Sequence, residues 1–345
     1  MIPDSFLEKM PFLVRPENVV RYENNRVYVL DRRKYPQNIE FLELKDCEEV
    51  AKAITDMVTQ SLGPRYLALY GMALAAKAAK VENVKEELER AGERLINTRP
   101  TNHEIREAVT SLLKYYQDYD NKKDTSAFDI VLSFIDHLIM KRHYESLALA
   151  EVGSVVLKDG DTILTHCFPE TTLVYLLIKA KDEGKKLKAF STETRPYLQG
   201  AKLTASVLHD MDIPVTLISD SMVAEVFSKD LVNVFLTGTD RVTMSGHVVN
   251  KVGTLQNAIL SKTYGVPYYA LSYGPDRNAK TPQDVKIEYR DPVELLSFKG
   301  IPIAKEGVKG YYPAFDITPP LYITGIITDK GIFEPLKISE YPDSA

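Results

Sequence analysis

Cysteine is scarce in this chain: Cys47 and Cys167 are the only two among 345 residues. Two thiols make no disulfide framework and fit a reducing cytoplasm. The six histidines are scattered, with no HExxH and no Cys/His cluster, so no metal site is expected. Basic charge is not in excess, since 43 Lys and Arg against 48 Asp and Glu leave a formal net charge of −5. That balance lacks the footprint of a nucleic-acid binder. No apolar run is long enough to span a bilayer. The opening "MIPDSFLEKMPF" lacks the basic start and apolar core of a signal peptide. Internal repeats and low-complexity linkers are absent as well. What remains is ordinary globular composition, 44% hydrophobic and 26% charged, at a length sufficient for two domains.

The rhythm of the chain changes along its length. "NVVRYENNRVYVLDRR" alternates around Asn24-Asn25 and reads as a β-hairpin. From Asp46 to about Lys141 apolar residues recur every three to four positions, as in "CEEVAKAITDMV" and "VKEELERAGERLINTRP". Residues 1–145 therefore read as a helical N-terminal domain with a small β element. A long helical pattern from about Phe128 to Leu157 leads into residues 146–345. There the strands "TILTHC", "LKAFSTE", "PVTLISD", "NVFLTGTD", "PYYALSY" and "YITGIITDKG" alternate with helical segments. Short apolar strands separated by helices indicate an α/β domain whose mainly parallel sheet is covered on both faces.

Several of these strands end on polar groups, among them His166-Cys167, Thr192-Glu193, Ser219-Asp220 and Thr239-Asp240. Open α/β sheets bind ligands beyond the carboxyl ends of their strands, an edge where packing alone does not demand polar residues. Cys167 reads either as a small buried hydrophobe or, at that edge, as a base, nucleophile or hydrogen-bond donor. Asp240 reads either as a cap for the following turn or as a carboxyl group raised by desolvation into a general acid. Asn250-Lys251 precedes Gly253-Thr254 at the start of a helical segment, which offers an anion site as well as a plain surface lysine. "NTRPT" and "TETRPYLQGAKL" supply Arg99, Arg195 and Gln199. Each TRP reads as a turn or as part of a phosphate grip.

Taken together, "LTHC", "ETRPYLQGAKLTA", "IPVTLISDS", "GTDRV", "NKVGT" and "PAFDITPP" resemble the 5-methylthioribose-1-phosphate isomerase family, relatives of the regulatory subunits of translation initiation factor 2B. The resemblance covers most of residues 90–335. It implies a Rossmann-like second domain, a homodimer, and an aldose–ketose isomerase acting on a small sugar phosphate without a cofactor or metal. By this match Cys167 and Asp240 are catalytic, and Arg99, Gln199, Asn250 and Lys251 bind substrate. Asp240 would protonate the ring oxygen, and Cys167 would act at C1/C2 as a proton shuttle or beside a hydride shift.

The sequence also departs from the family. Its "RGAPA" loop is missing from "TQSLGPRYLALYGMALA", where Ser61 stands in the arginine's place and Arg65 is the nearby substitute. "FPETT" replaces an Asn-Ala-Gly-rich loop after Cys167, and Tyr312 replaces an asparagine before "PAFD". Phe168, Tyr66 and Tyr197 offer an apolar wall for the C5 substituent. No second cationic cluster stands out to hold a 5-phosphate. The expected substrates are 5-deoxyribose 1-phosphate and 5-methylthioribose 1-phosphate, in salvage or disposal of 5′-deoxynucleosides and methylthioadenosine. The alternatives are ribose-1,5-bisphosphate isomerase and a non-catalytic translation-factor subunit.

Overall fold

The computed structural model describes residues 2–100, 102–119 and 125–342. The chain forms two compact units, Met1–His143 and Tyr144–Ala345.

In the first unit, β1 (Val20–Glu23) and β2 (Arg26–Leu30) make the expected antiparallel hairpin. Asn24 and Asn25 turn it with φ of 50° and 64°, the left-handed pair that a tight two-residue hairpin turn requires. A third strand, β3 (Phe41–Leu44), pairs with β2 and was not foreseen. Helices α1 (Cys47–Thr55), α2 (Gly63–Ala78), α3 (Val84–Ile96) and α4 (His103–Tyr119) follow. Helix α3 shows why the sequence reads as helical: Val84, Leu88, Ala91 and Leu95 recur on one face, and all are buried. The long pattern after Phe128 is α5 (Ala127–Gly153), which ends in a short 3₁₀ turn at Ser154–Val156.

The second unit is built on β4 (Thr162–Thr165), β5 (Lys188–Thr192), β6 (Val215–Ile218) and β7 (Val234–Gly238). Next come β8 (Arg241–Val242), β9 (Val248–Lys251) and β10 (Tyr268–Leu271). A small hairpin of β11 (Ser297–Phe298) and β12 (Ile301–Pro302) precedes β13 (Phe315–Thr318), β14 (Gly325–Thr328) and β15 (Gly331–Phe333). Helices α6 (Thr171–Asp182), α7 (Ala205–Asp210), α8 (Val223–Ser228) and α9 (Thr254–Tyr264) connect the strands.

The main sheet has the order β15-β14-β10-β7-β4-β5-β6 and is parallel except for the edge strand β15. All six strands read from the sequence lie in it. The chain builds outward through β4, β5 and β6, then returns to the other side of β4 with β7. That reversal opens a crevice at the carboxyl ends of β4 and β7, where doubly wound sheets bind their ligands. A second sheet, β13-β9-β8, is antiparallel. The sequence did not foresee it, because β9 and β13 pair across some sixty residues that include a helix and a strand of the main sheet.

Strand β7 is buried along its whole length, as a central parallel strand covered on both faces should be. Phe235 stacks on Tyr268 of β10 with ring centroids 4.5 Å apart, and the Tyr268 hydroxyl lies 2.8 Å from the Thr237 hydroxyl. Phe235→Ala should therefore cost about 3–5 kcal/mol in urea unfolding. A loss below about 1 kcal/mol would show that this strand does not anchor the sheet.

Candidate active site

Parallel pairing sets Thr165 of β4 beside Leu236 of β7. Cys167 leaves the first strand two residues later, and Asp240 leaves the second four residues later. The loop after Cys167 folds back over β7: a side chain on Gly238 would come within 3.2 Å of the Pro169 Cα. The sheet thus delivers a thiol and a carboxyl to neighbouring strand ends.

The loops around the thiol are held in backbone conformations that side chains disfavour. Cys167, Glu170, Thr194 and Leu198 have φ of 65°, 51°, 61° and 68°. Each costs on the order of 1–3 kcal/mol and persists only where its surroundings impose it, a pattern concentrated at functional sites. The surroundings are visible here. The Cys167 N–H donates to the Thr194 hydroxyl at 3.0 Å, and the Thr204 hydroxyl donates to the Cys167 carbonyl. Asp220 accepts the N–H groups of Thr194 at 2.8 Å and Arg195 at 2.7 Å. Gly200 approaches the Thr192 carbonyl so closely that a Cβ would sit 1.7 Å from that oxygen.

The histidine before the thiol is a clamp. His166 is buried; its Nε2 donates to the Val252 carbonyl at 2.9 Å, and its Nδ1 lies 2.6 Å from the Thr192 hydroxyl. A carbonyl only accepts, so Nε2 carries the hydrogen and the hydroxyl donates to Nδ1. Burial pushes the imidazole's pKa down, against the pull of Asp220, and keeps the ring neutral. The ring also packs against Gly253, whose φ of 105° and missing Cβ make room for it.

That turn carries Asn250 and Lys251, both buried at the end of β9. The Asn250 amide donates to the Thr254 hydroxyl at 3.1 Å. The Lys251 ammonium lies 4.6 Å from the centroid of the Phe315 ring. The helix start beyond them is not an open anion site. Asp316 on β13 accepts the Gly253 N–H at 2.6 Å and the Leu255 N–H at 3.1 Å, so a carboxylate of the chain itself fills it. Burial pushes the Asp316 carboxyl up to about 6, despite those N–H groups and Lys251.

Gln199 is buried at the mouth of a π-helical turn, Gly200–Thr204, a distortion frequent at functional sites. Burial pushes the Cys167 thiol above its ordinary value of 9.0, although Lys251 and Arg290 pull it down. The sulfur is therefore a neutral thiol at pH 7. Asp240 is exposed, not enclosed as its expected role as a desolvated acid required; its N–H donates to the Val249 carbonyl at 2.9 Å. Phe168 is buried and Tyr197 half-buried, with the Lys202 ammonium 4.8 Å from the Tyr197 ring centroid.

Arg65, Arg99 and Tyr66 belong to the first unit, and all three are half-buried there. Arg65 lies on α2 with its guanidinium 2.8 Å from the Glu104 carboxylate, which also sits 3.9 Å from Arg142. Burial works against the Glu104 charge, but the two arginines hold its carboxyl below the usual range. Among the described residues, no group of three His, Cys, Asp or Glu side chains is placed to hold a metal ion. None of the described helices is long and apolar enough to cross a membrane.

His166 and Asp220 stand out in the sequence only as polar strand ends, and Tyr312 only as a departure before "PAFD"; Arg290 and Asp316 were missed, although Asp316 lies inside that motif and its aspartate could have flagged it.

Residues 65–335 match the initiation factor 2 subunit family, and the chain belongs to it. It is 36% identical over 335 residues to a methylthioribose-1-phosphate isomerase of Thermosipho africanus, covering 92% of this chain and 94% of the relative. It is 37% identical over 327 residues to the enzyme of the same name from Carboxydothermus hydrogenoformans, covering 91% and 95%. The crystal structure of 5-methylthioribose 1-phosphate isomerase from Pyrococcus horikoshii superposes with a TM-score of 0.83 at 31% identity, covering 94% of each chain. Subunit delta of translation initiation factor eIF-2B from A. fulgidus gives 0.79 at 30% identity, over 93% of this chain and 96% of that one. Within the family the chain is an enzyme, an aldose–ketose isomerase.

Activity should rise with pH through about 6, as Asp316 ionises and grips the two N–H groups that hold the Lys251 turn. Because the folded pKa lies above the ordinary 3.8, this carboxyl stabilises the fold most below about pH 4 and gives that up as pH rises through 6. Asp316→Asn should lower kcat/KM and abolish that acid limb in a pH–rate profile; an unchanged limb would assign it to another group. Iodoacetamide should alkylate Cys167 slowly at pH 7 and faster only above pH 9. Rapid alkylation at neutral pH would contradict a neutral thiol.

Proposed function

We propose that this enzyme converts a ribose 1-phosphate with an uncharged C5 substituent into the corresponding ribulose 1-phosphate. 5-Methylthioribose 1-phosphate and 5-deoxyribose 1-phosphate are the substrates, in salvage or disposal of 5′-deoxynucleosides and methylthioadenosine. The observation that carries the reading is the pairing of Cys167 and Asp240 at neighbouring strand ends, next to buried Gln199, Asn250 and Lys251. Relatives named for a methylthioribose 1-phosphate support the sugar class.

In a sugar 1-phosphate the phosphate blocks spontaneous ring opening. Asp240 is open to solvent in the free protein; the bound sugar covers it, which favours its protonated form, and it then gives its proton to the ring oxygen as the C1–O4 bond breaks. Hydride then moves from C2 to C1 while the 2-hydroxyl gives its proton to the carboxylate that Asp240 has become, leaving a C2 ketone, a restored acid and a reaction neutral in redox terms. A neutral Cys167 thiol is no ready base, which favours a direct shift of hydride over abstraction of a proton by the sulfur. Gln199 and Asn250 supply amide groups for the sugar hydroxyls, and Lys251 supplies charge for the phosphate. Arg99 enters as a ligand from the sequence match alone, and Arg65 as the nearby substitute for the arginine that the match lacks at Ser61. A homodimer in the cytoplasm completes the reading.

Asp240→Asn should lower ketose formation at least ~100-fold, the scale of losing a positioned acid, and Cys167→Ser should lower it as well. A panel differing only at C5 should show the methylthio and deoxy sugars turned over faster than ribose 1,5-bisphosphate. Deuterium at C2 should be retained in the product. Faster turnover of the bisphosphate, or wash-out of the label, would refute the corresponding part.

A further inference from the structure

The segment between β10 and β13 brings two polar side chains to the thiol. A bridge between Tyr289 and Pro313 aligns it, and next to that bridge the Arg290 N–H donates to the Tyr312 carbonyl at 3.0 Å. In antiparallel pairing, residues opposite each other share a face, so the Arg290 and Tyr312 side chains lie together. Both interact electrostatically with Cys167: the Arg290 charge lowers the thiol's pKa, and the thiolate raises that of the Tyr312 phenol. Arg290 is held by Glu288, its Nε lying 3.1 Å from that carboxylate. Tyr312 is 3% exposed, and its hydroxyl faces the Arg290 guanidinium, which can only donate to it; no described residue accepts the hydrogen of its O–H.

A buried O–H whose hydrogen finds no acceptor is destabilising, and phenylalanine would fill the same space without it. The O–H therefore needs an acceptor that the described residues do not provide, on a segment tied to the site: Ala314, two residues on, accepts the Val252 N–H at 3.1 Å, and the Val252 carbonyl holds His166 beside Cys167. Burial pushes the Tyr312 phenol up to about 12, so it stays a donor at any working pH. We propose that the Tyr312 hydroxyl donates a hydrogen bond to a pentose hydroxyl next to the reacting carbons. Tyr312 is then a specificity-determining residue that reads the 2- or 3-hydroxyl, beside Arg290. The inference rests on the sugar-phosphate reading above and adds a contact which that reading does not contain.

The experiment compares wild type with Tyr312→Phe on 5-methylthioribose 1-phosphate, and measures inhibition by its 2-deoxy and 3-deoxy analogues. Tyr312→Phe should lose about tenfold in kcat/KM, the scale of one hydrogen bond, with a Tm no lower than that of wild type. One of the two analogues, lacking the hydroxyl that Tyr312 reads, should inhibit both proteins equally; the other should bind Tyr312→Phe more weakly. Wild-type kcat/KM in Tyr312→Phe, or an equal loss across the substrate and both analogues, overturns this inference alone. An inactive wild type overturns the sugar-phosphate reading, and the inference with it.

Discussion

The turn of strand order between β4 and β7 is the constraint on which the rest of this structure depends. A parallel sheet that grows in one direction and then restarts on the other side of its first strand cannot close its carboxyl edge there. The two strands flanking that opening end on Cys167 and Asp240. Their chemistry differs by environment: burial keeps the sulfur protonated, while the carboxyl remains exposed to solvent. Neighbouring groups with unlike surroundings are how one site assigns separate proton roles.

Precision at the opening comes from hydrogen bonds that fix strained loops. Asp220 holds the Thr194–Arg195 turn, Thr194 and Thr204 hold Cys167, and Asp316 holds the turn after Lys251. His166 ties the end of β5 to the turn after β9, linking Thr192 to Val252. A strand followed by histidine and cysteine thus combines a clamp with a neutral thiol. The clamp is fixed as one neutral tautomer, so it adds no charge beside the thiol.

Much of this was legible in the sequence because the signals are local. Alternation around Asn24-Asn25, the apolar spacing of α3 and the short runs of the main sheet each need only a window of about ten residues. The polar strand ends pointed to Cys167 and Asp240 before any geometry was known. Non-local pairing was not legible. Strand β3 reaches β2 across a ten-residue loop, and the β13–β9 and Arg290–Tyr312 pairings depend on partners farther along the chain. The anion site expected at Gly253-Thr254 failed for the same reason, since its carboxylate, Asp316, arrives from sixty residues away. The expected desolvation of Asp240 failed because strand-end position does not fix depth.

The account places one pentose between a sulfur and a carboxyl group. A crystal structure with the ketose 1-phosphate product bound tests this most directly. The account predicts Cys167 Sγ within about 3.5 Å of C1 or C2, and the Asp240 carboxylate equally close to the oxygen on C4, the contact distances of a reacting pair. A product bound with either side chain out of reach, or bound in a different cavity, would contradict it.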